Sequence, residues 1–363
     1  ARGPSGPPPG HEAARRPTTQ APPPVAATPK AVAETGAEQK IDKSPPPLDP
    51  SNMDTSVKPG DDFYDYANGT WLKNNPVPPE YSRWGSFNEL IEKNNDALHE
   101  IAEKADKLSG EEKGESKIEK AANADLQKVG DFYASGMNET EINEAGVKPL
   151  QDEMKHIDAI ASLDDLTKEI AHLQSIGINA LFGFTSGQDD KNSTMVIAQA
   201  FQDGLGLPDR DYYTKTDEKS AKIREEYVAH VTKMLTLLGV DAKAAGEQAK
   251  KIMAMETELA KGSRTRVELR DPQKNYNKMK MTDRQNLTPE FKWAAYFKEI
   301  NLANPGDINV GQPDFFKAAG KVFASTPIED WKSYFRWHLA HEAAPELASD
   351  FVDENFNFYA KTL

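Results

Sequence analysis

Cysteine is absent from the 363 residues, which excludes thiol nucleophiles, disulfide scaffolds and zinc or iron–sulfur sites built on Cys. Long hydrophobic runs are missing as well, and no stretch approaches the ~18 apolar residues that a membrane-spanning helix needs. Clustered positive charge is scarce. With 58 acidic against 44 basic side chains the net charge is −14, a balance that argues against nucleic acid as a partner. Residues 1–50 have no aromatic side chain, yet hold 13 of the 25 prolines. Their 6 basic and 5 acidic residues give +1, so the remainder carries −15. Stretches such as Pro7-Pro8-Pro9 and Pro22-Pro23-Pro24 cannot bury enough apolar area to offset the entropy of ordering. The leader 1–50 reads as a disordered, proline-rich linker. Ala1 in first position fits a mature product whose signal or lipid anchor has been removed, or an excised piece.

From about residue 59 the pattern turns helical. Acids at Asp61, Asp62 and Asp65 suit the first turn of a helix. Apolar residues recur at spacings of three, four and seven through Phe87, Leu90, Ile91, Leu98 and Ile101, which predicts a long helix over 83–106. Its apolar face is expected to pack inward. Further helices fit 115–136, 138–145, 147–159, 162–175, 216–239 and 241–262, with a tryptophan-rich helical tail over 327–361. Within 177–201, two short apolar runs flank Ser186-Gly187-Gln188-Asp189-Asp190 and predict a β-hairpin with a polar turn. The fold class is mainly α, a multi-helix domain with one small β-hairpin element.

Chemistry-bearing motifs are few. The cluster His338-Leu339-Ala340-His341-Glu342 imitates a zinc helix of the H-E-x-x-H type. Pro345 stands where the second histidine should be, and proline cannot continue the helix there without distortion. Gly204-Leu205-Gly206-Leu207-Pro208 lacks the third glycine of a phosphate loop. Asp209, Asp211 and Glu218 sit in a segment whose Pro208 and aspartates read as turn chemistry. Asn68, Asn138, Asn192 and Asn286 head glycosylation sequons, which arise often by chance. No serine elbow occurs. Motif physics alone assigns no catalytic residue and no metal ligand.

Longer segments carry more. Asp61-Asp62-Phe63-Tyr64-Asp65-Tyr66-Ala67-Asn68-Gly69-Thr70-Trp71 is followed by Ser82-Arg83-Trp84-Gly85-Ser86-Phe87. Gly204-Leu205-Gly206-Leu207-Pro208-Asp209-Arg210-Asp211-Tyr212-Tyr213 and Arg270-Asp271-Pro272-Gln273-Lys274-Asn275-Tyr276-Asn277-Lys278-Met279 come next. Tyr334-Phe335-Arg336-Trp337-His338 and Phe351-Val352-Asp353-Glu354-Asn355-Phe356 close the series. In this order they resemble the amino-terminal half of the neprilysin and endothelin-converting-enzyme family of zinc metallopeptidases, bacterial oligopeptidases included, over about 51–363.

The resemblance implies a zinc-dependent endopeptidase for short peptides, with a helical lid over a thermolysin-like domain that carries the zinc. In that family the zinc helix, the downstream glutamate ligand and the Asn-Ala substrate strand belong to the carboxy-terminal half, so none maps onto this sequence. This chain alone is therefore expected to be inactive and to hold no zinc. The partners implied are a peptide substrate and the zinc domain, on the same or a separate chain. Residues 51–90 would line the cleft and 91–363 would form the lid. One family position carries over: Arg83 matches the arginine that binds the substrate's carboxy-terminal side, a task its forked guanidinium suits. Ile91 and Asn88 replace neprilysin's second arginine and the intervening aspartate, so a preference for removing carboxy-terminal dipeptides is not carried over. A secreted, periplasmic or lipid-anchored bacterial protein fits the leader and the missing cysteines. The alternatives are a non-catalytic helical binding domain or one chain of a split peptidase.

Overall fold

A computed structural model describes residues 48–79, 81, 83–108 and 117–363, with side chains described from 124 onward in the last segment. All but residues 48–50 of the leader lie outside the described residues. The chain divides into two compact units, 1–92 and 93–363.

In the first unit, helix α1 (Phe63–Asn74) opens on Asp62, whose side chain accepts the Asp65 backbone N–H at 2.9 Å and so caps an orphan donor. Gly69 lets the preceding segment approach, since a Cβ there would meet the Asp54 Cβ at 2.8 Å. Thr70 Oγ1 donates to the Met53 carbonyl at 2.8 Å, and Lys73 pairs with Asp54. Helix α2 (Ser86–Leu108) begins three residues later than periodicity suggested and runs on past the unit boundary.

The second unit is a helical body around one small sheet. Helices α3 (Lys117–Met137), α4 (Glu139–Ala145), α5 (Gln151–Asp158) and α6 (Leu163–Ser175) lead into strands β1 (Phe182–Asp189) and β2 (Asn192–Gln202). After α7 (Asp211–Thr214), α8 (Glu218–Leu237) and α9 (Ala242–Gly262) lie against one another. The starts of α8, α9 and α6 are capped. Asp217 accepts from Ser220 N, Asp241 from Lys243 N and Ala244 N, and Ser162 from Asp165 N. Their apolar stripes, Ile223, Tyr227, Val231, Met234 and Leu235 on α8 with Ile252 and Leu259 on α9, are buried as the spacing required.

The sheet is larger than the predicted hairpin. β3 (Lys278–Met279) and β4 (Ile308–Val310) join it in the order β1-β2-β4-β3, with β2 and β4 parallel and the other pairs antiparallel. The polar segment expected as a turn belongs mostly to β1: Ser186 pairs with Ala198 and Gly187 with Ile197, and the reversal is at Asp190-Lys191. The outer part of this ribbon is solvated on both faces, so polar residues serve as well as apolar ones there.

No pattern was read for helices α10 (Met281–Leu287), α11 (Trp293–Glu299) and α12 (Pro313–Ser325); α11 and α12, with Phe291 just before α11, contribute a large share of the buried aromatic rings. Phe182 meets Phe291, Trp293, Tyr296 and Phe316 at centroid distances of 5.4–5.6 Å in tilted or edge-on contacts. The predicted tail is not one helix. α13 (Ile328–Ala343) stops where Pro345 forces a 3-10 turn, and α14 (Ser349–Phe356) runs on into a π-helical turn. On α13, Trp331, Tyr334, Phe335 and Trp337 are all fully buried.

Candidate functional site

Arg83 lies in the connection between α1 and α2, exposed and without a hydrogen-bond or ion-pair partner among the described residues. The chain beside it is fastened by the Tyr81 and Trp84 rings, 4.8 Å apart and edge-on, and by the Tyr81 hydroxyl on the Glu92 carboxylate. The expectation that the following apolar face packs inward is not met. Phe87 is 81% exposed, Leu90 and Ile91 54% each, and Leu98 and Ile101 also face solvent. Their spacing does place them on one face of α2, but no described residue covers it.

The segment Gly204–Pro208 is a packing device rather than a phosphate loop. Tyr334 donates to the Gly204 carbonyl at 2.7 Å and Tyr359 to the Gly206 carbonyl at 2.8 Å. The Leu207 N–H donates to the Tyr213 hydroxyl at 2.8 Å. Gly204 adopts φ +82°, and a Cβ on Gly206 would fall 2.0 Å from the Tyr227 hydroxyl. Behind the loop, fully buried Glu256 accepts from Tyr213 and Tyr227, each at 2.7 Å, and Trp337 Nε1 donates to the Tyr227 hydroxyl at 3.0 Å.

A cavity of about 520 Å³ opens beside the loop, its wall including Asp203, Arg210, Arg264, Arg266, His341 and Tyr359. Its cations are largely engaged. Arg264 donates to the carbonyls of Lys274 and Gly311 and to Asn275 Oδ1, and Arg266 pairs with Asp209 at 2.8 Å. Burial raises the Asp203 carboxyl. Nothing in the wall pairs a nucleophile with a base. Asp209 and Asp211 do the turn work expected of them: Asp209 Oδ1 accepts the Asp211 N–H at 2.8 Å, and Asp211 pairs with Lys215. The Arg270–Met279 motif satisfies backbone groups, with Asn275 Nδ2 donating to the carbonyls of Glu268 and Asp271.

His338 and His341 are core residues. His338 is 5% exposed, tilted against Tyr334 at 4.3 Å, with Nε2 3.3 Å from Glu256 Oε1 but not aligned for a hydrogen bond. His341 stacks on Trp337, and burial holds it neutral with its pKa pushed down to about 3. Neither histidine belongs to a group of three His or acidic side chains placed to share an ion among the described residues.

Among the described residues, one group of His and acidic side chains could share an ion: Glu153, His156 and His172, on α5 and α6. Its signal in the sequence is a glutamate followed three residues later by a histidine, on two consecutive helices, a pattern that a search for H-E-x-x-H passes over.

The sequence model of peptidase family M13, for the amino-terminal region, matches residues 59–363. Mouse endothelin-converting enzyme 1 is 28% identical over 324 residues, 85% of this chain and 40% of the mouse protein. Neprilysin-3 of Drosophila melanogaster is 29% identical over 317 residues, 82% of this chain and 38% of its own length. Among solved structures, the Mycobacterium tuberculosis zinc metalloprotease Zmp1 with inhibitor is 31% identical at a TM-score of 0.76, covering 87% of this chain and 47% of that one. PepO of Lactobacillus rhamnosis, at 17% identity and a TM-score of 0.63, shares the fold. The chain thus spans about two fifths of the length of the curated relatives it matches.

Proposed function

The chain belongs to peptidase family M13, as its amino-terminal region, and on that premise we propose that it is the lid and one cleft wall of a zinc-dependent endopeptidase for short peptides. The zinc, its polarised water and the general base come from the carboxy-terminal half, and this chain supplies enclosure and substrate contacts. Residues 51–90 line the cleft and 91–363 form the lid. The observation that carries the reading is the family match over 59–363 combined with an α2 face that has Phe87, Leu90, Ile91, Leu98 and Ile101 exposed. Apolar side chains grouped on one helix face mark a surface made to be covered. The zinc half is the proposed cover.

Arg83 is the proposed substrate contact. An exposed guanidinium with no partner among the described residues is available to a peptide carboxylate or carbonyl. A bacterial protein, secreted, periplasmic or lipid-anchored, is part of the same proposal, and the likeness to the Mycobacterium tuberculosis metalloprotease supports its bacterial part. Among the described residues no helix is long and apolar enough to cross a membrane. The test uses the full-length protein and a fluorogenic peptide. Hydrolysis should cease with a chelator and return with zinc. Cleavage that survives complete removal of zinc would refute the reading.

A further inference from the structure

Helices α5 and α6 each bear a glutamate and, three residues on, a histidine: Glu153 with His156, and Glu169 with His172. Residues three apart share a helix face, so each helix presents a carboxylate beside an imidazole. Helix-borne Glu-x-x-His pairs supply the metal ligands of carboxylate-bridged bundle sites for the same geometric reason. The short connection 159–162 brings the two faces together. His172 Nε2 lies 2.6 Å from Glu153 Oε2, and the His156 and His172 rings are 4.9 Å apart. One ligand atom from each of Glu153, His156 and His172 lies within 4.8 Å of the others.

Tetrahedral bonds of ~2.0–2.1 Å hold ligand atoms about 3.3 Å apart. The trio therefore closes on an ion by rotamer changes on the order of an ångström. Exposed His156 is free to swing inward, and the His172–Glu153 pair opens slightly. A second observation points the same way. Glu169 is only 6% exposed, and its Oε1 is buried with no hydrogen-bond partner. A buried, unpartnered carboxylate oxygen is costly unless a cation meets it. Glu169 stands three residues before His172 on α6 and so shares its helix face.

We propose that Glu153, His156 and His172, with Glu169 as fourth donor, bind one divalent first-row transition-metal ion that ties α5 to α6. Imidazole with carboxylate selects Zn²⁺, Co²⁺ or Ni²⁺ over Mg²⁺ and Ca²⁺, which prefer all-oxygen shells.

The test titrates the 363-residue chain with Co²⁺, reading visible absorption and the melting temperature, with Zn²⁺ as competitor. One equivalent should bind, give the intense bands of a low-coordinate site and raise the melting temperature. Mg²⁺ should do neither. His156→Ala and His172→Ala should each weaken binding at least tenfold, and Glu169→Gln severalfold, while His99→Ala, at an exposed histidine on α2, should change nothing. His156 is exposed, so its loss leaves the fold intact and keeps the test valid if His172→Ala unfolds. Absence of saturable binding at submillimolar metal would overturn the proposal. One-equivalent binding that survives both His156→Ala and Glu169→Gln, or that His99→Ala abolishes, would overturn it equally.

Discussion

Arg83 is the residue on which the proposed substrate contact turns. In the full-length protein Arg83→Ala should raise KM about tenfold to a hundredfold, the worth of one charge-assisted hydrogen bond, with kcat little changed because the contact lies away from the reacting carbonyl. Peptides with an amidated carboxy terminus should feel the loss less. Unaltered kinetics, or a large fall in melting temperature, would make Arg83 structural. Buried histidines give a second residue-scale expectation. Burial pushes His341 down to about 3 and His230 down to about 4, so both stay neutral in the fold while the unfolded chain takes up protons near pH 6.5. The unfolded state binds more protons below that pH, so their contribution is complete above about 6.5 and is lost as pH falls toward 4. In His341→Phe the loss of stability between pH 6.5 and 5 should shrink by about 1–2 kcal/mol. Denaturation curves with the same pH dependence as the parent would contradict this. Pro345 excluded an H-E-x-x-H helix at His341 in the sequence, but the burial of His341 against Trp337 was not legible, because the partner ring of an aromatic stack is invisible in a local pattern.

At the scale of elements, Gly206 of the 204–207 loop and Gly136 of α3 should behave in opposite ways. Gly206→Ala forces a Cβ to within 2.0 Å of the Tyr227 hydroxyl, which is tied to Glu256, so it should cost about 2 kcal/mol or more. A Cβ on Gly136 in α3 would meet nothing within 4 Å, so Gly136→Ala should stabilise by roughly 0.5–1 kcal/mol. Thermal melts of the two variants decide, and equal effects would contradict the packing account. Helices α5, α6, α8 and α9 were readable because one apolar stripe meets one core and leaves a 3.6-residue period. Helices α11 and α12 were not, because Trp293, Tyr296, Phe297, Phe315, Phe316 and Phe323 crowd a core approached from several sides and blur the period. β1 and β2 were found but placed short, since a ribbon wetted on both faces has no alternation to mark its end. β3 and β4, of two and three residues, are too brief for any pattern. The twin Glu–His pairs of α5 and α6 were in plain view, yet only the fold shows that the two faces meet.

For the whole molecule, the exposed stripe on α2 separates two uses of apolar residues. Leu98→Asp should leave the stability of this 363-residue chain within about 0.5 kcal/mol, because the side chain is 63% exposed. In the full-length protein the same change should destabilise by about 2 kcal/mol or more, if the zinc half covers that face as proposed. Equal melting shifts in both would place the partner elsewhere. The family was legible from motifs whose residues prove architectural: Asn275 serving carbonyls, and Gly204 and Gly206 receiving tyrosine hydroxyls. The central claim, a lid that admits only short peptides to a zinc centre, is tested most directly by kcat/KM of the full-length protein on peptides of increasing length that share one cleavable bond. A steep fall with length, ending in no cleavage of an unfolded protein carrying that bond, is the predicted result. Cleavage of the unfolded protein at the rate of the shortest peptide would contradict it.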